Sequence, residues 1–394
     1  YRGYEGIIYA ADMGADIINC SWGGPGADPA AQSVIDYALS KGSMVIAAAG
    51  NDGQPFENYP QAPATLSGVM SVGSSSNNDR VSSFTNHGWQ NVLYAPGENP
   101  LSTYPGNQYR GQTGTSFSSP VASGVAALVK SLHPDWTPFQ IMMQMRMTVD
   151  GLQGVSASER GRYFGRVNAE KAVKFNRSFT SGDRVPGLYY QSHTIVSGQQ
   201  TITTLEPADL TVTIANALAD APTATVNIAV LDNNVELMSE SSVSMSNVTQ
   251  AASKTFPMRI RLLPTYPWYQ ASILVRLTIL SGTSVNIAHF EVPTQRTTTN
   301  SYSGSSLPAD WLATFTHVDF STSSNVLWAA ARSNQGPIGL VGSQSGGGSL
   351  IIYPYNITAL EAMASDRAIV GGITQGRATT SRTVPGQSNW ANTD

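Results

Sequence analysis

The sequence predicts an α/β fold, a parallel sheet covered by helices on both faces, followed by an all-β sandwich and a further, partial β-domain. Three observations carry this. Two continuous apolar runs, Asp16–Cys20 and Met44–Ala49, flank a helical stretch, the pattern of parallel strands buried on both faces. A small-residue turn, Gly114–Pro120, opens onto the apolar helix Val121–Leu132. From Asp183 onward, Ser/Thr-rich segments alternate apolar and polar residues with period two.

In chain order, Tyr4–Met13 reads as a helix with Ile7, Ile8 and Ala11 on one face and Gly14 as its stop. The strand Asp16–Cys20 runs into Ser21-Trp22-Gly23-Gly24 and a turn at Pro25-Gly26. Asp28 is placed to cap the next helix, with Pro29 in its first position and Gly42 past its end. The strand Met44–Ala49 closes on Gly50-Asn51-Asp52-Gly53. Ser116 falls at the start of the Val121–Leu132 helix, where unpaired N–H groups and the dipole favour developing negative charge. Pro120 is expected in the first turn, which needs no donor. Thr137 and Gln140 form a candidate capping box, with Pro138 at the first helical position. Met142, Met143, Met145 and Met147 read as adaptable core filler.

Beyond Asp183, strands are expected at Leu210–Ile214, Thr225–Val230, Val243–Val248 and Ser272–Leu280, about seven in all through Pro293. Pro264, Pro267 and Trp268 read as a loop, and Thr297–Ser306 as a Ser/Thr linker. The division is therefore 1–178, 183–294 and 307–394, with few contacts expected across the Arg177–Gly182 turn. The last part holds Phe315–Phe320, Val326–Ala330, Ala368–Gly372 and a Trp390-Ala391-Asn392 ending. These resemble the opening strands of a sialidase-type β-propeller, which needs at least four blades.

Composition narrows the function classes. Only 12% of the 394 residues are charged and the net charge is −4, without a Lys/Arg cluster, so nucleic acid is not expected as a partner. A low charged share with abundant Ser, Thr, Gly and Asn suits a secreted or cell-surface protein. The single cysteine excludes an intrachain disulfide, and its place in Ile17-Ile18-Asn19-Cys20 marks it as a buried, inert thiol. No apolar run is long enough for a membrane helix. Asn-x-Ser/Thr sites begin at Asn176, Asn247 and Asn356.

Gly114-Thr115-Ser116-Phe117-Ser118-Ser119-Pro120, followed by an Ala/Val/Gly-rich helix, resembles the serine-nucleophile motif of the subtilases, the subtilisin-like serine proteases. Other segments match in the family's order. Ser21–Gly24 resembles the wall of the primary specificity pocket, and Ala47–Asp52 the segment whose asparagine donates to the oxyanion. Tyr59-Pro60, Ser82–Asn86, Tyr94–Gly97, the hairpin-like Thr103–Gly114, His133–Thr137 and Gly165–Ala169 resemble later segments. The resemblance covers about residues 1–178.

It implies a serine endopeptidase acting on peptides or proteins. Ser116 would be the nucleophile, and Asn51 with the Ser116 N–H would form the oxyanion hole. Trp22, Gly23 and Gly24 would wall the pocket on one side and Ala48, Ala49 and Gly50 on the other. Thr115 and Ser21–Gly24 would hold the substrate backbone. Asp52 or Glu57 could place a carboxylate at the pocket mouth, or both are solvated loop acids. No cofactor is implied for the chemistry. Subtilases often bind structural calcium, but no dense carboxylate cluster locates a site, and nothing indicates an oligomeric state.

A serine hydroxyl needs a base held by an acid. Subtilases supply these in the order Asp, His, Ser, and the sequence begins downstream of both expected positions. None of the five histidines matches the catalytic one, so the amino-terminal part of the domain is expected to be missing and the chain alone inactive. A catalytically inactive peptide-binding or adhesive relative is the alternative. The sedolisins, which work without histidine, carry Asp where this sequence has Asn51, which favours the subtilase branch.

Overall fold

The computed structural model describes residues 2–26, 29–56, 59–156, 164–176, 183–203, 205–264, 266 and 272–294, and beyond 300 only strand backbones. Asp28, Glu57, the Arg177–Gly182 turn, Pro267, Trp268, His317, Asn356, Phe315–Phe320, Ala368–Gly372 and the Trp390 ending lie outside the described residues.

The first unit runs α1 (Gly3–Asp12), β1 (Ile17–Cys20), β2 (Gly24–Pro25), α2 (Pro29–Ser40), β3 (Met44–Ala48), β4 (Gln61–Ala62), β5 (Met70–Ser75), β6 (Asn91–Pro96), β7 (Leu101–Tyr104), β8 (Gln108–Gly111), α3 (Thr115–Leu132), α4 (Pro138–Met147) and α5 (Ala169–Lys174). A four-stranded sheet has the order β1-β3-β5-β6, and each neighbouring pair is parallel. Strand β3 shows why its sequence is apolar throughout. Met44 and Ile46 pack with Val125, Ala126 and Val129 of α3, while Val45 and Ala47 pack with Ile7 of α1 and Ile35 of α2. Alternate side chains thus reach two separate cores. Strands β7 and β8 form a hairpin leading to α3. The Thr137–Gln140 capping box is present, and Met143 and Met145 are buried.

Helix α3 begins at Thr115, six residues before the expected Val121. Pro120 is therefore its sixth residue rather than part of the first turn. Its missing N–H leaves the carbonyl of Ser116, four residues back, without a helical partner. The Ser21 hydroxyl fills the gap, donating to that carbonyl at 2.7 Å.

The second unit contains β9 (Leu188–Ile195), β10 (Ala208–Asn216), β11 (Ala221–Val230), β12 (Val235–Leu237), β13 (Ser242–Val248), β14 (Ser253–Leu262), β15 (Ser272–Ser281) and β16 (Ser284–Pro293). They form two antiparallel four-stranded sheets, β12-β14-β10-β9 and β13-β11-β15-β16. One cluster, including Leu210, Val226, Ile260, Leu277 and Phe290, fills the space between them. Farther along, β17 (Ser301–Ser303), β18 (Val326–Ser333), β19 (Gly336–Ser343) and β20 (Ser349–Tyr353) form an antiparallel sheet in the order β17-β20-β19-β18. Residues 301–303 of the expected linker are thus strand.

The junction between the parallel-sheet unit and the sheet pair differs from the sparse boundary the sequence suggests. Met143 of α4 packs on Ala217 and Leu218, Phe139 meets the Tyr189 ring edge-on at 4.6 Å, and Gln140 Nε2 donates to the Ala217 carbonyl. Arg146 lies buried between α4, β6 and β16. A cavity of about 310 Å³ adjoins it, lined by Val149, Phe164, Lys171, Val285 and others, none of them a residue expected in the site.

Candidate active site

The expected site residues lie on two strand ends and one helix start. Serine 21 and Gly24 follow β1, Ala48 ends β3, and Asn51 sits in the loop beyond it. Carboxyl ends of adjacent parallel strands are where such sheets leave room for ligands. The amino end of α3 brings Thr115 and Ser116 to the same place, as the bonds linking them to Asn51 and Ser21 show.

Asparagine 51 is held by two bonds to the helix start. The Thr115 N–H donates to its Oδ1 at 2.8 Å, and the Thr115 hydroxyl donates to the same oxygen at 3.0 Å. A backbone N–H can only donate, so the atom facing it must be the amide oxygen. The Nδ2 is thereby turned the other way, with no hydrogen-bond partner among the described residues. Beside it, Ser116 is the second residue of α3, and its N–H has no intrahelical acceptor. Two donors without partners thus stand close to the serine.

Thr115 differs from its expected role. It is fully buried, its N–H and hydroxyl are both committed to Asn51, and its oxygen also accepts from the Gly50 N–H at 3.1 Å. It orients Asn51 and leaves no side-chain atom for substrate.

Asn86, which sequence reasoning did not single out, anchors the other side of the Gly50–Gln54 loop. Its Oδ1 accepts from the N–H groups of Asp52 and Gln54, both at 3.0 Å, and its own N–H donates to the Gly50 carbonyl. Gly50 has φ 101°, and a Cβ there would lie 2.4 Å from Asn86 Nδ2, so glycine is required on both counts. The signal was present in Ser82–Asn86, but a buried asparagine serving two amides cannot be told from a turn asparagine by sequence. Asp52 is exposed and accepts from Asn86 Nδ2 at 3.3 Å, so its carboxylate is partly committed to the loop.

Most of the residues expected to wall the pocket are small. Ala48 and Ala49 are buried, and Gly24 pairs with Ala62 through β2 and β4. Trp22 turns its ring onto α1, meeting Tyr4 edge-on at 5.2 Å and covering Gly3. Behind the serine, Ser119 Oγ donates to Asn19 Oδ1 at 2.7 Å, and Asn19 Nδ2 donates to Ser21 Oγ at 2.9 Å. Cys20, at the end of β1, is buried, and desolvation pushes its pKa up to about 12, so the thiol is held protonated and unreactive.

Serine 116 Oγ donates to the Ser21 carbonyl at 3.2 Å. The described histidines are engaged elsewhere. His133 caps the far end of α3, about 25 Å from Ser116 by helical rise, and stacks on Trp136 at 3.7 Å. Burial lowers its pKa. His193 bonds Tyr190 in the sheet pair, His289 lies near Trp89, and His87 sits in the loop after Asn86. Among the described residues no three His, Cys, Asp or Glu side chains converge as a metal-binding group, so the calcium that the resemblance allows has no donor cluster there.

The sequence of this first unit matches a known family. The model of the subtilase family fits residues 3–177. Residues 3–177 are part of a subtilase catalytic domain. This subtilase segment is 40% identical over 173 residues to thermitase of Thermoactinomyces vulgaris, covering 43% of this chain and 58% of that protein. It is 39% identical over 176 residues to a thermophilic serine proteinase of a Bacillus strain, covering 43% and 41%. Subtilisin BL of Lederbergia lenta is 34% identical over 170 residues, covering 43% and 61%. A solved protease of Pseudoalteromonas arctica aligns with TM-score 0.40 and 30% identity over 43% of this chain and 57% of that one. The chain thus spans about half the length of these relatives.

Ser21 links the end of β1 to the serine helix, which gives a test of its structural part. Ser21→Ala should lower stability by about 1–2 kcal/mol, because the Ser116 carbonyl then loses the donor that replaces the Pro120 N–H. Thermal unfolding should show a fall of a few degrees, with Ser21→Thr close to wild type. An unchanged midpoint would mean that another donor serves that carbonyl.

Proposed function

We propose that the protein is a serine endopeptidase of the subtilase type, with Ser116 as nucleophile. The observation that carries this reading is the clasp of Thr115 on Asn51 Oδ1, which leaves Nδ2 and the Ser116 N–H as unpaired donors beside one hydroxyl. In the reaction Ser116 Oγ attacks the peptide carbonyl carbon while a base takes its proton. The carbonyl oxygen becomes an oxyanion, received by Asn51 Nδ2 and the Ser116 N–H. Collapse expels the amine, which carries a proton from the base, and leaves an acyl-enzyme that water hydrolyses.

The family resemblance implies a His base and an orienting Asp, and none of the described histidines stands beside Ser116. The Ser116 hydroxyl must then turn from the Ser21 carbonyl to the base. Ser21–Gly24 would hold substrate backbone, and Ala48, Ala49 and Gly50 would form one wall of the side-chain pocket with Trp22–Gly24 opposite. The low charged share supports action outside the cell, on peptide or protein substrates.

A second reading, a peptide-binding or adhesive protein without turnover, is favoured by the bond from Ser116 to the Ser21 carbonyl. Labelling of the full-length protein by a fluorophosphonate separates the two. Modification at Ser116, absent in Ser116→Ala, is expected for the peptidase. An unlabelled Ser116 in folded protein would leave the binding reading.

A further inference from the structure

We propose that the sheet pair positions the Asn51 loop through Arg146, so that β16 is a working part of the peptidase unit. The inference rests on the proposed role of Asn51 for its functional meaning, while the path itself stands on geometry alone.

The path starts in β16. Asn286 Oδ1 accepts from Arg146 Nε at 3.0 Å, and the Ile287 carbonyl accepts from Nη2 at 2.9 Å. The other guanidinium nitrogen crosses to β6, where Nη1 donates to the Val92 carbonyl at 2.7 Å and to the Asn91 carbonyl at 3.4 Å. The group also lies 3.8 Å from the Phe164 ring centre. A rigid planar fork holds these four acceptors on two elements in fixed directions, which a lysine's three-donor ammonium cannot reproduce.

Asn91 carries the path onward. Its Nδ2 donates to the Asn86 carbonyl at 3.1 Å and to the Tyr94 hydroxyl at 3.0 Å, and its Oδ1 accepts from Ser71. Asn86 then holds the Asp52 and Gln54 amides and the Gly50 carbonyl, as described above. From Gly50 the bonds reach Thr115, Asn51 and the start of α3. Asn286, Arg146, Asn91 and Asn86 are 3%, 9%, 1% and 0% exposed. Water therefore offers little competition along the path, and losing one link leaves buried groups unpaired.

The sheet pair has no site residue of its own, yet it supplies two of the four acceptors that fix this arginine. Asn286 also donates to the Leu188 carbonyl at 2.7 Å, which ties β16 to β9 and keeps its acceptor aimed at Arg146. The specific consequence is that order in the Gly50–Gln54 loop depends on a residue in β16.

The test uses the full protein with Asn286→Ala and reads amide hydrogen exchange. Exchange at Asp52 and Gln54, whose N–H groups point at Asn86, should quicken about tenfold, within the usual range of coupling between sites. Strand β3 should keep its wild-type rates. Arg146→Lys, which retains the charge but not the fork, should give the same pattern and serves if Asn286→Ala does not fold. Unchanged rates at Asp52 and Gln54 would overturn the proposal. So would an equal rise across β3 and the loop, since that is general destabilisation. Where the wild-type protein turns over peptide, kcat should fall with KM little altered. Local exchange changes in a protein without turnover would leave the path standing and remove the peptidase reading.

Discussion

Asn51→Ala in the active protein should lower kcat by roughly 10²–10³-fold with KM little changed, because the lost donor acts on charge that develops only in the transition state. The alanine variant also strips Thr115 of the acceptor for its N–H and hydroxyl, so a fall in rate could come from a loosened helix start. Asn51→Asp separates the two effects. Its carboxylate still accepts from Thr115, and an anion near the amino end of α3 is favoured by the unpaired N–H groups. It cannot donate to an oxyanion. Equal losses for both variants, with circular dichroism and unfolding midpoint of Asn51→Asp close to wild type, are the expected result. A fully active Asn51→Asp would show that Nδ2 takes no part in the chemistry.

Arg146→Met should be the most damaging single change in the junction, costing roughly 3–5 kcal/mol. Methionine fills much of the volume but leaves four acceptors, the carbonyls of Asn91, Val92 and Ile287 and Oδ1 of Asn286, without their donor. Orphaning a buried polar group costs about 1–3 kcal/mol. Burial of the guanidinium has its own cost, visible in a pKa pulled down to about 10, and methionine recovers part of it. That pKa still leaves the group charged at neutral pH, so its stabilising contribution should persist from acid through neutral pH. Its contribution changes only above about pH 10, where the folded state gives up its proton before the unfolded one, so this group makes the unfolding free energy rise with pH there. Urea unfolding at pH 7 followed by both fluorescence and circular dichroism measures the change. A loss below about 1 kcal/mol would mean that desolvation cancels what the hydrogen bonds contribute.

Much of the fold was legible because it is written in local patterns. The continuous apolar run of β3 specifies a strand with two buried faces, and both cores are there, whereas β1 at the sheet edge buries Ile18 and Cys20 and leaves Asn19 exposed. Strict alternation in Ser272–Leu280 and Leu210–Ile214 specified strands with one buried face, and these became β15 and β10. The Thr137–Gln140 cap needs only residues three apart. Ser116 and Asn51 were picked out by the resemblance of their segments to those of the subtilases, since local chemistry alone reads them as a helix-start serine and a turn asparagine.

What only the tertiary structure decided are the pairings of residues far apart in the chain. The Ser116 carbonyl, left free by Pro120, finds its donor in Ser21, ninety-five residues away in the chain. Thr115 looked like a substrate contact because the subtilase resemblance places it beside the nucleophile, but the fold commits both its donors to Asn51. The roles of Asn86 and Asn91 were not legible, since no local rule reveals that a buried amide will serve another segment. Arg146 sits on a helix as any arginine would, and its four acceptors come from β6 and β16, which meet only after both sheets have formed. Local propensity and periodicity act over a few residues. Satisfying a buried donor requires an acceptor brought by folding, and that information is spread over the whole chain.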